Sequence, residues 1–446
     1  MSAAELAPAT SSRRLWSDLA QVWVAVTLTN VLFYLFQIMV VRGLGPGDYG
    51  LFGALLGIVY LAAAASNAIN ACVAGVIARQ AAGEGADARK AAGAALGQML
   101  IVAGVVFALV CLAAPFLRMY LHGHSLLPIL LTNVLLFLAL VGPVVQGALL
   151  GEQRFAWYSA SQLLNGGSRL LLGGLAIALG FGVAGALGAV VVALTATMLL
   201  GLAVAQPRLT VSWRSLRSGP LGPILLPMAV GFLAISMPTS ADVLVARHFF
   251  ASHEAGLYAG VAALGRIILF LPLSVSLVLY PKIAQDAAAG RSSERYLPIG
   301  VGLSCLLAGA ATLVLALAPR FVLTHALGTE YAGAQNILAP YAIASFLFSV
   351  VVFLLYFHLA QHRFAFIYAV LAPHIALELV LPYFLHGSPQ QLVAVLLWVN
   401  ASLLVSSLIF TRASLAVAWR WPLRFRHVPE PTRHIESIAT REEMIS

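Results

Sequence analysis

Charged residues are scarce in this sequence. Only 9% of its 446 residues are Asp, Glu, Lys or Arg, whereas an average soluble domain carries about 25%. Hydrophobic residues make up 61% of the chain. They recur in runs of roughly 20 residues, which is long enough for a helix to cross a hydrocarbon core. A water-soluble globule is therefore excluded, and the bilayer is the expected solvent.

Cysteine is also scarce, and this argues against a metal or disulfide framework. Cys72, Cys111 and Cys305 are the three cysteines, and all lie inside apolar runs without the spacing of metal ligands. We expect no metal, no cofactor and no catalytic residue. The formal charge is +9, but the basic residues sit in short segments between apolar runs, so no nucleic-acid partner is expected.

About twelve apolar windows predict an all-α integral membrane protein. The runs are continuous rather than alternating, which favours helices over barrel strands. Arg13 and Arg14 precede a first run without a small-residue cleavage site, so it is read as a span and not a signal peptide. The windows are 22–41, 52–77, 92–116, 127–150, 156–180, 183–204, 222–246, 257–280, 296–317, 336–357, 364–384 and 390–410.

The distribution of lysine and arginine predicts that both termini are cytoplasmic, because basic residues flanking spans stay on that side. This topology puts 19 of the 25 Lys and Arg residues inside and 4 outside, and leaves Arg169 and Arg266 within spans. The expected organisation is a cytoplasmic segment 1–21, a bundle 22–206, a basic linker 207–219, a bundle 220–411 and a disordered cytoplasmic tail 412–446.

An internal repeat supports two related halves. The first span is followed by Arg42-Gly-Leu-Gly-Pro-Gly-Asp-Tyr-Gly-Leu-Phe52, and the seventh by Arg247-His-Phe-Phe-Ala-Ser-His-Glu-Ala-Gly-Leu-Tyr258, about 206 positions later. Arg, an acid, Gly, Leu and an aromatic return in the same order. Because an even number of spans separates the copies, we expect two six-helix bundles related by a pseudo-two-fold axis along the membrane normal, with a cleft between them.

The stretch Leu44-Gly-Pro-Gly-Asp-Tyr-Gly-Leu-Phe52 resembles the signature of the oligosaccharide (polysaccharide biosynthesis) flippases of the multidrug, oligosaccharidyl-lipid and polysaccharide exporter superfamily. Three further stretches are similar to that family's corresponding segments, and the likeness covers nearly the whole chain. They are Val145-Gln-Gly-Ala-Leu-Leu-Gly-Glu-Gln-Arg154, Ala255-Gly-Leu-Tyr258 and Leu279-Tyr-Pro-Lys-Ile-Ala284.

The resemblance implies two bundles that form a V, with spans one, two, seven and eight lining a central cavity. It implies a monomeric flippase that moves a polyprenyl-diphosphate-linked oligosaccharide across the bacterial plasma membrane by ion-coupled alternating access. Membrane lipids would surround it, and a polysaccharide polymerase or glycosyltransferases would be its partners. Drug exporters of the same superfamily share the architecture, so a proton- or sodium-coupled multidrug exporter is the alternative. A membrane-embedded glycosyltransferase or ligase is disfavoured because the sequence shows no large outer loop and no acidic catalytic cluster.

Two arginines inside spans are candidate cargo-binding residues, because an ion in the bilayer costs several kcal/mol and needs a reason. Arg266 lies near the middle of the eighth span, where its guanidinium could hold diphosphate oxygens with a planar fork of donors. A structural pair with a neighbouring carboxylate is the alternative. Arg169 lies midway along the fifth span, where a salt bridge or carbonyl contact inside the bundle is at least as reasonable.

Three ionisable residues are candidates for ion coupling. Asp242 corresponds by the repeat to Gln37, so one half has a carboxyl group where the other has an amide. Asp242 could take up a proton, or it could hold Arg266 in place. His374 and Glu378 are spaced i, i+4 on one helix face beside Pro373, which suits a proton relay or a structural hydrogen bond.

Neutral polar residues in the first two spans are the remaining candidates. They could meet sugar hydroxyls in the cleft, or they could hydrogen-bond between helices, as amides commonly do in membranes. They are Asn30, Gln37, Asn67 and Asn70.

Overall fold

The structure, a computed structural model, describes residues 12–82, 88–207, 240–289, 291–361 and 363–420. Regular structure within these residues is helical throughout, as predicted. The main helices are α1 (Ser12–Ala82), α2 (Ala88–Tyr120), α3 (Leu127–Gly151), α4 (Phe155–Ala178), α5 (Gly182–Ala205), α6 (Ala241–Phe249), α7 (Ser252–Ala288), α8 (Tyr296–Leu317), α9 (Gln335–Ala360), α10 (Ala372–Phe384) and α11 (Pro389–Arg420).

Shorter helical segments connect some of these helices. A turn at Pro319–Val322 leads into a π-helical segment, Leu323–Leu327, and a 3₁₀ segment, Thr329–Ala334, before α9. A second π-helical segment, Ile367–Leu371, runs directly into α10.

Most predicted spans coincide with a described helix. Within the described residues, nine helices are long and apolar enough to cross a membrane. Helix α4, with 24 residues, is not one of these nine, and it covers the window 156–180 as far as residue 178. The window 222–246 is described only at its end, in α6, and the segment 1–11, most of the linker 207–219 and the tail from 421 lie outside the described residues. Helix α11 continues to Arg420, past the tail boundary predicted at 412.

Helix α1 carries the first two spans, and it breaks sharply between them. The break is at Gly45, whose φ of 67° and ψ of 171° are not helical. Pro46 follows, and the ring of a proline disfavours helical backbone in the residue before it, while glycine accepts positive φ at little cost. The Gly-Pro pair of the repeat signature therefore produces the bend between the two spans.

The helices pack as two lobes. In the N-terminal lobe, α1 packs against α3 and α4, and α5 lies against α3 and α4. In the C-terminal lobe, α9 packs against α7, α8 and α11. Helix α1 also contacts α6 and α7, so the junction of the lobes is formed by elements of the two repeat copies.

The hydrophobic cores show that the lobes meet at one end and separate at the other. One cluster of buried residues is shared, with Phe52 and Leu55 from the first lobe against Val261 and Leu338 from the second. Two further clusters each belong to a single lobe: one is built from α1, α2, α3 and α5, and the other from α7, α9, π-helical Ile367–Leu371, neighbouring Phe366 and α11. The result is the predicted V, which is closed at the end that contains Gly45 and open at the other end.

Candidate functional site

At the closed end of the V, the backbones of the two copies of the repeat are in contact. A Cβ atom placed on Gly256 would lie 1.5 Å from the carbonyl oxygen of Pro46, and one on Gly50 would lie 2.9 Å from the amide nitrogen of Gly256. Any side chain at Gly256 would push the lobes apart. The glycines of the repeat thus allow α1 and α7 to approach closely.

Arg266 lies at the junction of the lobes. It belongs to α7, and its guanidinium carbon is 5.3 Å from the ring centroid of Tyr60, which belongs to α1 in the other lobe. It also interacts electrostatically with Tyr34 and Tyr49 of α1 and with Asp242 of its own lobe. The sequence-predicted arginine is therefore placed between the two bundles, and it does not point outward to lipid.

Asp242 is a buried carboxylate held by two tyrosines. Only 3% of its surface is exposed. Its Oδ2 accepts hydrogen bonds from the hydroxyl groups of Tyr258 at 3.0 Å and Tyr341 at 2.8 Å. Its Oδ1 is buried and accepts no hydrogen bond from the described part of the chain. A carboxylate oxygen left without a donor in a buried site is a place where a proton or a cation can be held.

Glycine and a second acid complete the surroundings of Asp242. A Cβ atom on Gly265 would lie 2.3 Å from the ring of Tyr341, so only glycine lets this tyrosine reach across α7 to the carboxylate. Glu378 of α10 is 4% exposed and interacts electrostatically with Asp242, Tyr258 and Tyr341. We define Asp242, Tyr258, Tyr341 and Glu378 as the acidic cluster.

Arg169 approaches the same region from the first lobe. Its guanidinium carbon is 4.8 Å from the ring centroid of Phe33 and 4.9 Å from that of Phe36, both on α1. Its Nε is buried without a hydrogen-bond acceptor among the described residues, and Tyr60 interacts with it electrostatically. Tyr60 therefore has a cation from each lobe within electrostatic range. The salt bridge considered for Arg169 is not present among the described residues.

The repeat-related residues Gln37 and Asp242 both pair with tyrosine. The Gln37 amide donates a hydrogen bond to the hydroxyl of Tyr49 in the first lobe, whereas Asp242 accepts one from Tyr258 in the second. The two tyrosines are not at corresponding positions of the repeat. Tyr258 corresponds to Phe52, which lies about one helical turn after Tyr49. The pairing is preserved, but the chemistry changes from a neutral amide to an ionisable acid.

The other predicted site residues are more dispersed. His374 places Nδ1 2.8 Å from the carbonyl oxygen of Val370 in its own chain segment. Asn70 has a buried Oδ1 without a donor among the described residues, and Asn30 is exposed. The side chain of Asn67 lies outside what the structure describes.

Tyrosines are the site residues that the sequence reasoning missed. Tyr60, Tyr258 and Tyr341 contact the predicted charges directly, yet a tyrosine in an apolar run gives no signal comparable to a buried charge. The useful signal was the repeat, which ends in Tyr258, about two turns into α7. No group of His, Cys, Asp and Glu in the described ranges is arranged to hold a metal ion.

Comparisons with known proteins identify the fold. An inward-facing MATE family multidrug resistance transporter of the MOP superfamily aligns over 87% of this chain and 95% of its own, with a TM-score of 0.72 and 15% identity. An outward-facing MATE family multidrug resistance transporter of the MOP superfamily aligns over 90% of this chain and 96% of its own, with a TM-score of 0.60 and 14% identity. The lipid II flippase MurJ, in an inward closed conformation, aligns over 88% of this chain and 87% of its own, with a TM-score of 0.70 and 11% identity.

The chain has the fold of the MOP superfamily transporters. No protein-family model and no curated protein matches the sequence, so the likeness is one of architecture at low identity. The predicted fold class is confirmed, as is a multi-pass membrane protein. The similar structures are of transporters and a lipid flippase.

Proposed function

We propose that this protein is a flippase that translocates a polyprenyl-diphosphate-linked oligosaccharide across the bacterial plasma membrane by ion-coupled alternating access, for cell-surface polysaccharide biosynthesis. In this proposal both termini are cytoplasmic, the protein acts as a monomer, and it receives cargo from glycosyltransferases and delivers it to a polymerase. The open end of the V, which carries basic residues such as Arg154 and Lys282, faces the cytoplasm.

The position of Arg266 carries the cargo assignment. A guanidinium between two lobes, at the ring of Tyr60, offers several N–H donors to an anion that enters the cleft. Arg169 provides a second cation within electrostatic range of the same ring. Two positive charges in a low-dielectric cleft attract a diphosphate, whose negative charges lie on adjacent phosphate groups. The same charges repel a cationic drug.

The acidic cluster supports ion coupling. Asp242 has one oxygen held by two tyrosine hydroxyls and one oxygen without a donor among the described residues, and Glu378 lies within electrostatic range. A proton or a sodium ion bound there would relieve the repulsion between the two acids and alter their attraction for Arg266. Binding of the ion would thereby change how strongly the arginine holds an anionic cargo.

A proton- or sodium-coupled multidrug exporter is the second candidate. The same two buried carboxylates favour it, because they would attract a cationic drug. The two functions differ in what they require of Arg266. A flippase needs the guanidinium, whereas an exporter of cations would transport as well or better without it.

A reconstituted flipping assay tests the proposal. Purified protein in liposomes is given a fluorescent polyprenyl-diphosphate-linked saccharide, and a membrane-impermeant reductant measures how much label reaches the accessible leaflet. We expect Arg266→Ala to slow flipping on the order of a hundredfold, since charge-assisted hydrogen bonds contribute about 1.5–3 kcal/mol each. Arg266→Lys should keep part of the rate, because it preserves the charge and loses the fork.

Arg320→Ala is the matched control, since this exposed arginine lies in the turn after α8. It should flip at the parent rate. The same variants are then assayed for efflux of a cationic dye from everted vesicles. Unchanged flipping in Arg266→Ala would refute the cargo assignment, and retained dye efflux in that variant together with loss in Asp242→Asn would favour the exporter.

A further inference from the structure

The arginines that begin the two copies of the repeat make matching contacts across the junction of the lobes. Arg42, in the first lobe, donates through Nε to the carbonyl oxygen of Ala326 at 3.1 Å and through Nη2 to that of His325, both in the second lobe. Arg247, in the second lobe, donates through Nε to the carbonyl oxygen of Leu121 at 3.0 Å, in the first lobe. Each arginine therefore bonds the backbone of the opposite lobe.

The acceptors have the same character in both contacts. Leu121 directly follows the last residue of α2, and His325 and Ala326 lie in the last residues of the π-helical segment Leu323–Leu327. Carbonyl groups at the carboxyl end of a helix lack partners within it and carry partial negative charge. A guanidinium stays charged at all relevant pH values and satisfies such carbonyls well.

The contact made by Arg247 is the more buried of the two. Only 4% of Arg247 is exposed, whereas Arg42 is exposed to solvent. Arg247 also interacts electrostatically with Asp48, an acid in the first copy of the repeat. Beside it, His248 stacks on Tyr120 of the first lobe with ring centroids 4.0 Å apart. Loss of Arg247 would leave the carbonyl group of the buried Leu121 without this donor from across the junction.

We propose that Arg42 and Arg247 form a reciprocal clasp that holds the closed end of the V shut and must release before the cavity can open at that end. This rests on the alternating access proposed above but not on the identity of the cargo. In this role the arginines position the lobes. They bind no substrate.

The test measures distances between spin labels, without cargo. Cys72, Cys111 and Cys305 are replaced by alanine. One label pair, His124→Cys with Gln390→Cys, reports on the closed end, and a second pair, Gln153→Cys with Lys282→Cys, reports on the open end; all four positions are exposed and each pair joins the two lobes.

We expect Arg42→Ala combined with Arg247→Ala to shift the ratio of open to closed populations at the first pair on the order of tenfold. Distances at the second pair should shorten at the same time, because alternating access couples the two ends. Arg247→Ala alone should shift the ratio more than Arg42→Ala. Arg118→Ala is the control, since this exposed arginine near the end of α2 packs beside Gly123 of its own lobe.

Two results would overturn the clasp. In the first, the double variant keeps the parent distances at both pairs, so the arginines do not hold the closed end. In the second, both distributions broaden without a paired movement, so the arginines support folding and do not control opening. Normal flipping of the saccharide or failure to flip it would alter neither conclusion, and the clasp can therefore stand or fall separately from the cargo.

Discussion

The two lobes follow one helical plan but differ in how they hold charge next to the cleft. The first lobe pairs the Gln37 amide with Tyr49 and rests Arg169 on two phenylalanine rings. The second lobe has Asp242 and Glu378 close enough to interact, with Arg266 in range of Asp242. The repeat therefore preserves the packing of the two halves, whereas three of the four charged residues described at the cleft, Asp242, Glu378 and Arg266, belong to the second lobe.

This asymmetry has a physical rationale. An amide and a phenol satisfy each other without a net charge, so their burial costs little once the hydrogen bond forms. A buried carboxylate needs donors or a bound cation, and its protonation state then responds to what the cavity contains. The first lobe, with the permanently charged Arg169, can therefore keep a fixed charge, while the second lobe, with its two acids, can respond to ions in the cavity.

Among the substitutions that compare the two lobes, replacing Asp242 by asparagine should give the largest effect, because it makes the second lobe resemble the first. The amide oxygen can still accept from Tyr258 and Tyr341, but the site no longer titrates. In liposomes with an imposed proton gradient, one pH unit is worth about 1.4 kcal/mol per coupled proton, a factor of about ten. We expect this acceleration to vanish in Asp242→Asn and to persist in the control Glu152→Gln, whose acid is in the loop after α3.

An undiminished gradient response in Asp242→Asn would remove this residue from coupling. The same measurement with a sodium gradient in place of a proton gradient identifies the ion, since only the coupled ion should accelerate flipping in the parent protein.

Removing one tyrosine hydroxyl from each lobe sharpens the comparison through stability. Tyr258→Phe leaves a buried carboxylate with one donor fewer, which should cost about 1–3 kcal/mol. Tyr49→Phe removes a hydrogen bond between neutral groups and should cost about 1 kcal/mol or less. Thermal unfolding of the detergent-solubilised variants measures both. Equal losses in melting temperature would mean that the two pairs contribute equally to stability, which would contradict the proposed difference between the lobes.

Arg169→Ala should have the smallest effect on transport. The contacts of this guanidinium with Phe33 and Phe36 are cation–π interactions, worth about 1 kcal/mol in a partly buried site, and flipping should slow about fivefold. Arg169→Lys is the companion variant and should fall in between. A loss as large as that of Arg266→Ala would show that the first lobe contributes equally to cargo binding.

Much of the fold could be predicted from the sequence, because apolar length and the placement of basic residues are strong signals in a membrane protein. The repeat located the junction of the lobes as well: Gly50 and Gly256 touch there, and Arg42 and Arg247 bond across it. These contacts involve corresponding positions of two similar segments, and similarity can be read without a structure.

The partners of the buried charges could not be predicted in the same way. In a helix that is apolar on every side, periodicity does not indicate which face is turned inward. Tyr341 is 99 positions from Asp242 in the chain, so no local pattern connects them. The resemblance gave spans one, two, seven and eight as the lining of the cavity, without the span of Glu378, whereas the structure brings that carboxylate within electrostatic range of Asp242.

Apolar side chains seal the closed end of the V, since the core shared by the two lobes contains Phe52, Leu55 and Val261. Apolar contacts that exclude water weaken on cooling, while hydrogen bonds to guanidinium groups do not share that dependence. Cooling should therefore weaken the closed end of the V. Leak of small solutes at low temperature would measure how strongly these apolar contacts hold it shut.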